Sequence, residues 1–435
     1  MSDRAEGLRN TCWLCLRTAA TAVADIVSAR LAVKGLGVEG YGVFSSVWGV
    51  ASMLMFLDGT LNVTARRFLA SRLAVGRGEF LSAFRSLAAM TIAMAALMAA
   101  AGMAGGAWFV RTRLSLPPDA ACTALRVFRL CVAAMALRML VTPLSAALVA
   151  SERMGELASL AVLESVVALF AAAAAVHPCF SSPTPYAAFV LAGAAVVLAA
   201  YVVRCRAVLG VPEVKFAFDM RAVREEASFF AWMSSAAFAN ALKYHGVCTL
   251  LGVYAGSVYS AAWNVSMKTG FAIYSVAGCV HQAFFPRAVK LWERGEKGRF
   301  AGVFSFSFWS SLGIAAFFAS PLLFAPEAVA HALAGAQPPP ETAAFLRCVA
   351  VHFVIDAAKG PVHNAVLAVG RVALYQSVDS IIMASGFIFA WGFLAAGFPA
   401  WTSVASVAAT NALSFIFRFA YMAIAVDLFQ KRMKQ

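Results

Sequence analysis

Apolar residues run along this chain in blocks of about 20, the length a helix needs to cross the hydrocarbon of a bilayer, and polar residues gather between the blocks. Twelve blocks can be placed, near residues 11–33, 42–64, 86–107, 122–150, 157–176, 185–203, 227–251, 258–285, 301–322, 342–369, 372–395 and 400–428. The pattern predicts an all-α polytopic membrane protein with about 12 transmembrane helices. A hydrophobic content of 62% and a mean hydropathy of +0.79 over 435 residues exclude a soluble globule. Met1 to Asn10 is polar and charged, and the block after it has no small-residue cleavage site, so that block is expected to persist as the first helix.

The net charge of +14 is unevenly placed. Arg66, Arg67, Arg72, Arg77 and Arg85 follow block two, Arg204, Arg206, Lys215, Arg221 and Arg224 follow block six, and Arg287, Lys290, Arg294, Lys297 and Arg299 follow block eight. Arg4, Arg9, Arg153, Arg371, Lys431, Arg432 and Lys434 fall on the same side, whereas the opposite side holds Lys34, Arg111 and Arg113. Basic connections stay in the cytoplasm, so both termini are expected there. Cations flanking apolar runs meet anionic headgroups. Membrane lipids, not nucleic acid, are therefore the expected partners.

The halves repeat at an offset of 215 to 220 residues. Pro143, Ala147, Ala150, Arg153 and Ser159 answer to Pro361, Ala365, Ala368, Arg371 and Ser377, and Leu36-Gly37-Val38 answers to Leu251-Gly252-Val253. An N-terminal lobe of residues 1–210 and a C-terminal lobe of residues 211–435, six helices each, is a transporter architecture with its site between repeats near the midplane.

From Arg30 to Phe44 the chain reads Arg-Leu-Ala-Val-Lys-Gly-Leu-Gly-Val-Glu-Gly-Tyr-Gly-Val-Phe. Arg30, Leu36-Gly37, Glu39 and Tyr41-Gly42 resemble the first helix-to-helix turn of the polysaccharide-biosynthesis (Wzx-type) flippases, within the multidrug/oligosaccharidyl-lipid/polysaccharide exporter superfamily. The basic segment Ala65 to Phe84 is also similar to that family. The resemblance implies two six-helix lobes around a central cavity and alternating access. It further implies an undecaprenyl-diphosphate-linked oligosaccharide as substrate, with other polysaccharide assembly proteins as partners.

Ten of the 35 Lys and Arg fall inside the apolar blocks, where an ionisable side chain marks a pathway or a pair. His352, Asp356, Lys359 and His363 share one face of a helix, as do Asn264, Lys268, Ser275 and Gln282, and Asn10, Arg17, Thr21 and Ser28. Such stripes are expected to face the bundle interior, lining a cavity or holding helices together. Arg17 and Arg138 are the leading candidates for a diphosphate headgroup, because Arg keeps its charge when buried. Lys243, Lys268, Arg129, Arg347, Lys359, His352 and Asn264 complete the expected substrate-binding set. Asp25, Asp58, Glu164, Asp356 and Asp379 would pair with these cations; Asp25, Asp58, Asp356 and Asp379 are also candidates for a coupling ion.

Gly35 to Gly40 fits a dinucleotide-binding pattern but has no preceding strand, so it is read as a turn. Cys12-Trp-Leu-Cys15 lacks the second pair a zinc site needs, and no Walker loop appears. No cofactor, metal site or catalytic residue is expected, and an enzyme reading is disfavoured. The main alternative to the flippase is a cation-coupled multidrug exporter, for which a net-acidic cavity would be expected.

Overall fold

The computed structural model describes residues 2–53, 56–114, 120–151, 153–210, 234, 237–335, 337–369 and 373–432; side chains at 2–17, 19, 63, 74, 283, 286, 290, 293, 368–369, 373–374 and 425–432 are outside that description. The described residues are almost all helical, joined by short turns. The longest helix, α1 (Ser2–Met53), is broken only at Gly37, whose φ of 71° a residue without a Cβ adopts readily. Neighbouring Gly35 lets the backbone pass Ala175, since a Cβ there would sit 2.3 Å from the Ala175 carbonyl oxygen.

Next come α2 (Phe56–Val75) and α3 (Arg77–Thr112), which carries a wide π-turn at Gly102–Gly106. The helix α4 (Ala121–Ala150) is interrupted at Leu140 and Val141, one turn before Pro143. It is followed by α5 (Met154–Ala174) and α6 (Pro183–Leu209), which Gly210 ends in the left-handed conformation. A second π-turn, Leu242–Gly246, leads into α7 (Val247–Tyr254). The remainder is α8 (Ser257–Glu293), α9 (Lys297–Phe324), the short α10 (Pro326–Ala334), α11 (Thr342–Val369), α12 (Ala373–Ala395) and α13 (Ala400–Arg432).

Every expected apolar block within the described residues is helical. Residues 211–224 of the connection after block six and the start of block seven lie outside them. Among the described residues seven helices are individually long and apolar enough to cross a membrane, or eight if the bent pair Ala20–Met53 and Phe56–Leu73 is one span. Helices α8 and α11, at 37 and 28 residues, are long enough but carry the polar stripes. Large apolar side chains such as Trp309, Phe317, Phe324 and Ile381 stand exposed, as a surface solvated by lipid requires. The protein is an all-α, multi-pass membrane protein.

Contacts divide the chain into two compact units, one of residues 1–30 with 262–435 and one of residues 31–261. The division falls inside α1 and inside α8. In the first unit α11 is central, packing on α9, α10 and α13, with a core of Val362, Ala365, Val366, Tyr375 and Phe300. Gly270 admits the Phe353 ring so closely that a Cβ would lie 2.1 Å from Cδ2, which brings α8 against α11. In the second unit α4 is central, packing on α6 and α2 around Leu61, Leu69, Phe84, Met139 and Leu148.

Candidate functional site

Spacings of four, three and four residues put His352, Asp356, Lys359 and His363 along one face of α11. That face meets protein. His352 Nε2 and Lys359 Nζ each lie 3.3 Å from an oxygen of Asp356, so the carboxylate sits between two nitrogens of its own helix. Lys359 donates to Asn411 Oδ1 of α13 at 2.7 Å, and Asn411 Nδ2 donates to the His352 carbonyl at 2.9 Å. One amide thus ties α13 to α11 by both of its functions. Lys359 is only 4% exposed, and burial of an ammonium is sustained by this full set of partners.

A second charged group lies beside the first. Asp379 of α12 accepts from Arg418 Nε at 2.9 Å and from Nη2, and also from the Ser414 hydroxyl. The Arg418 guanidinium lies 5.4 Å from the centre of the Tyr375 ring, and the Tyr375 hydroxyl is 3.1 Å from His363 Nδ1. Asp356 and Asp379 are thereby matched by Lys359 and Arg418. The group is charge-balanced and closed, a clamp across α11, α12 and α13.

The stripes of α1 and α8 meet differently. Thr21, Ala22 and Asp25 of α1 and Lys268, Phe271, Ala272 and Ser275 of α8 line a cleft of about 220 Å³ within the first unit. Asp25 is exposed and Lys268 half-buried. Asn264 is half-buried one turn before Lys268. The side chain of Arg17 lies outside the described residues.

The other expected residues have separate surroundings. Arg138 of α4 is exposed and pairs with Glu164 of α5, while Asp58 of α2 accepts from the Thr142 hydroxyl. Lys243 is buried in the π-turn before α7 with its ammonium 4.3 Å from the centre of the Tyr244 ring, a cation–π contact. Arg129 is exposed on α4, and Arg347 Nη2 lies 3.6 Å from Glu327 of α10. Among the described residues no group of His, Cys, Asp and Glu converges as metal ligands would.

Sequence reasoning brought out the α11 stripe but not Asn411, Ser414 and Arg418, which complete it from α13. They stand three and four residues apart, so the same helical count would have found them.

No protein-family model matches the chain, and no curated protein matches it in sequence. Solved structures do resemble it. An inward-facing multidrug resistance transporter of the MATE family, in the MOP superfamily, superposes with a TM-score of 0.75 at 11% identity, covering 94% of this chain and 96% of that one. The lipid II flippase MurJ, in an inward closed conformation, gives 0.69 at 10% identity over 94% and 87%. A MOP superfamily transporter from Pyrococcus furiosus, noted for the reverse polarity of its binding pocket, gives 0.59 at 12% identity over 98% and 97%. At such identities the likeness is one of fold. The chain has the fold of MOP superfamily transporters.

Proposed function

We propose that the chain is a flippase that carries an undecaprenyl-diphosphate-linked oligosaccharide across the bacterial cytoplasmic membrane by alternating access. The repeat lobes 1–210 and 211–435 would be the moving parts, with both termini in the cytoplasm. The fold is compatible with this, since one structure sharing it is a lipid II flippase. It is equally compatible with export of drugs, so the substrate must be argued from charge.

The observation that carries the reading is the balance of charge inside the helices. Asp58, Glu164, Asp356 and Asp379 each already hold a hydroxyl or a cation of the protein. Among the described residues no acid lies within ion-pair distance of Arg129. A surplus of fixed cation suits a substrate that brings its own negative charge, and repels a cationic drug. Arg138 also remains available, because an exposed ion pair with Glu164 is worth at most about 1 kcal/mol and a guanidinium has donors to spare.

Proteoliposomes test this directly. Purified protein should increase the transbilayer movement of an undecaprenyl-diphosphate-linked saccharide and should leave efflux of a lipophilic cationic dye at the background rate. Arg138→Gln, Arg17→Gln and Arg129→Gln should each slow the saccharide lipid by about tenfold at equal protein content, as loss of a charge-assisted hydrogen bond predicts. Dye efflux without saccharide movement would replace the flippase with a multidrug exporter.

A further inference from the structure

The cleft between α1 and α8 has a lining that a diphosphate does not match. The Thr21 hydroxyl donates to the Thr18 carbonyl at 3.0 Å and the Ser275 hydroxyl to the Phe271 carbonyl at 2.7 Å, so both hydroxyl oxygens are left as acceptors. Asp25 adds a carboxylate, with acceptor sites for several donors. Against these stands one cationic donor, Lys268. A phosphate offers acceptors only and would meet the Asp25 charge, whereas a bare metal cation would meet the Lys268 ammonium. The ligand that complements several acceptors and one strong donor is a polyol.

Size and the remaining side chain narrow it further. At about 220 Å³ the cleft is smaller than sites that enclose drug-sized molecules, which run to roughly 300–1,000 Å³. It has room for a single ring-sized unit. Phe271 lines the cleft 40% exposed, an apolar plane of the kind on which the C–H face of a sugar ring packs.

We infer that this cleft is a saccharide subsite, holding one pyranose ring of the translocated glycan between Asp25, Lys268 and Phe271. The inference rests on the flippase reading and assigns Asp25 to the glycan instead of to a coupling ion. Lys268 then serves the sugar, and the arginines serve the diphosphate.

Full-length protein in nanodiscs can be titrated with undecaprenyl diphosphate and with undecaprenyl-diphospho-N-acetylglucosamine, a probe that differs by one ring. The sugar should tighten binding by about tenfold. Asp25→Asn and Lys268→Gln should each remove most of that gain, and Phe271→Leu about half, while binding of the sugar-free lipid changes less than twofold. The sugar-free arm also reports whether each variant is folded. Equal affinity for both lipids, or a gain that survives all three substitutions, overturns the subsite and leaves the flippase standing. Failure of both lipids to bind overturns the flippase and the subsite together.

Discussion

Replacing the Asp379 carboxylate by its amide, as in Asp379→Asn, keeps the shape of the site but leaves the Arg418 guanidinium buried without its counter-charge. Breaking a buried pair from one side costs about 3–5 kcal/mol, which should appear as a large fall in Tm in detergent. Removing both ends at once, with Asp379→Leu and Arg418→Met, should recover most of the loss, because neither charge is then stranded. A double variant as unstable as Asp379→Asn would show that the pair does more than cancel itself. The positions of these charges were half legible in the sequence. Helical spacing assigned His352, Asp356 and Lys359 to one face and they do share it, yet spacing says nothing of what stands opposite. Lys359 was expected among the substrate ligands; in the structure its ammonium is enclosed by Asp356 and Asn411. Lys268 was drawn from the same kind of stripe and borders a cleft. The difference lies in the facing helix, which a pattern along one helix does not contain.

Among the helices, contacts made by small residues carry the sharpest consequences. Gly270→Ala would drive a Cβ into Phe353 and Val349, so α8 and α11 must move apart or Phe353 must leave its rotamer. Overpacking of this kind costs about 1–3 kcal/mol, and Phe353→Leu in the Gly270→Ala background should return part of it, measured by thermal unfolding. Gly37→Ala differs, for nothing lies within 4 Å of its Cβ position and only the φ of 71° opposes the change. That cost is about 1–3 kcal/mol and should be insensitive to any neighbouring substitution. Helix edges were the least legible feature. Block two, an apolar run of about 20 residues, ends at 64, but α2 runs on to Val75 through Arg66, Arg67 and Arg72, good helix formers, until Gly76. The short α10 was missed, although Pro326 at its start, Glu327 in its first turn and Gly335 after its end are ordinary boundary signals. At nine residues it left no membrane-length run to notice.

For the whole molecule, the membrane class and the helical content followed from hydropathy alone, because a bilayer leaves a spanning backbone few alternatives. Orientation remains a proposal. A cysteine introduced at Gly295, in the turn between α8 and α9, should resist a membrane-impermeant maleimide in intact cells and react once the membrane is opened; labelling in intact cells would reverse the topology. The repeat expected from Pro143 and Pro361, and from Arg153 and Arg371, would divide the chain near residue 210, whereas contacts group residues 1–30 with residues 262–435. That membership imposes an order on synthesis. The first half of α1, carrying Thr21 and Asp25, is made before α8, and the α8 residues that share its cleft follow only after all of residues 31–261. At ribosomal rates of about 5–20 residues per second the delay is on the order of tens of seconds, during which a polar helix face waits without its partner. Pulse-chase of chains stopped before Ala262 should therefore show rapid membrane proteolysis, and Asp25→Leu should slow it, marking the newborn first helix as the point at which quality control reads this protein.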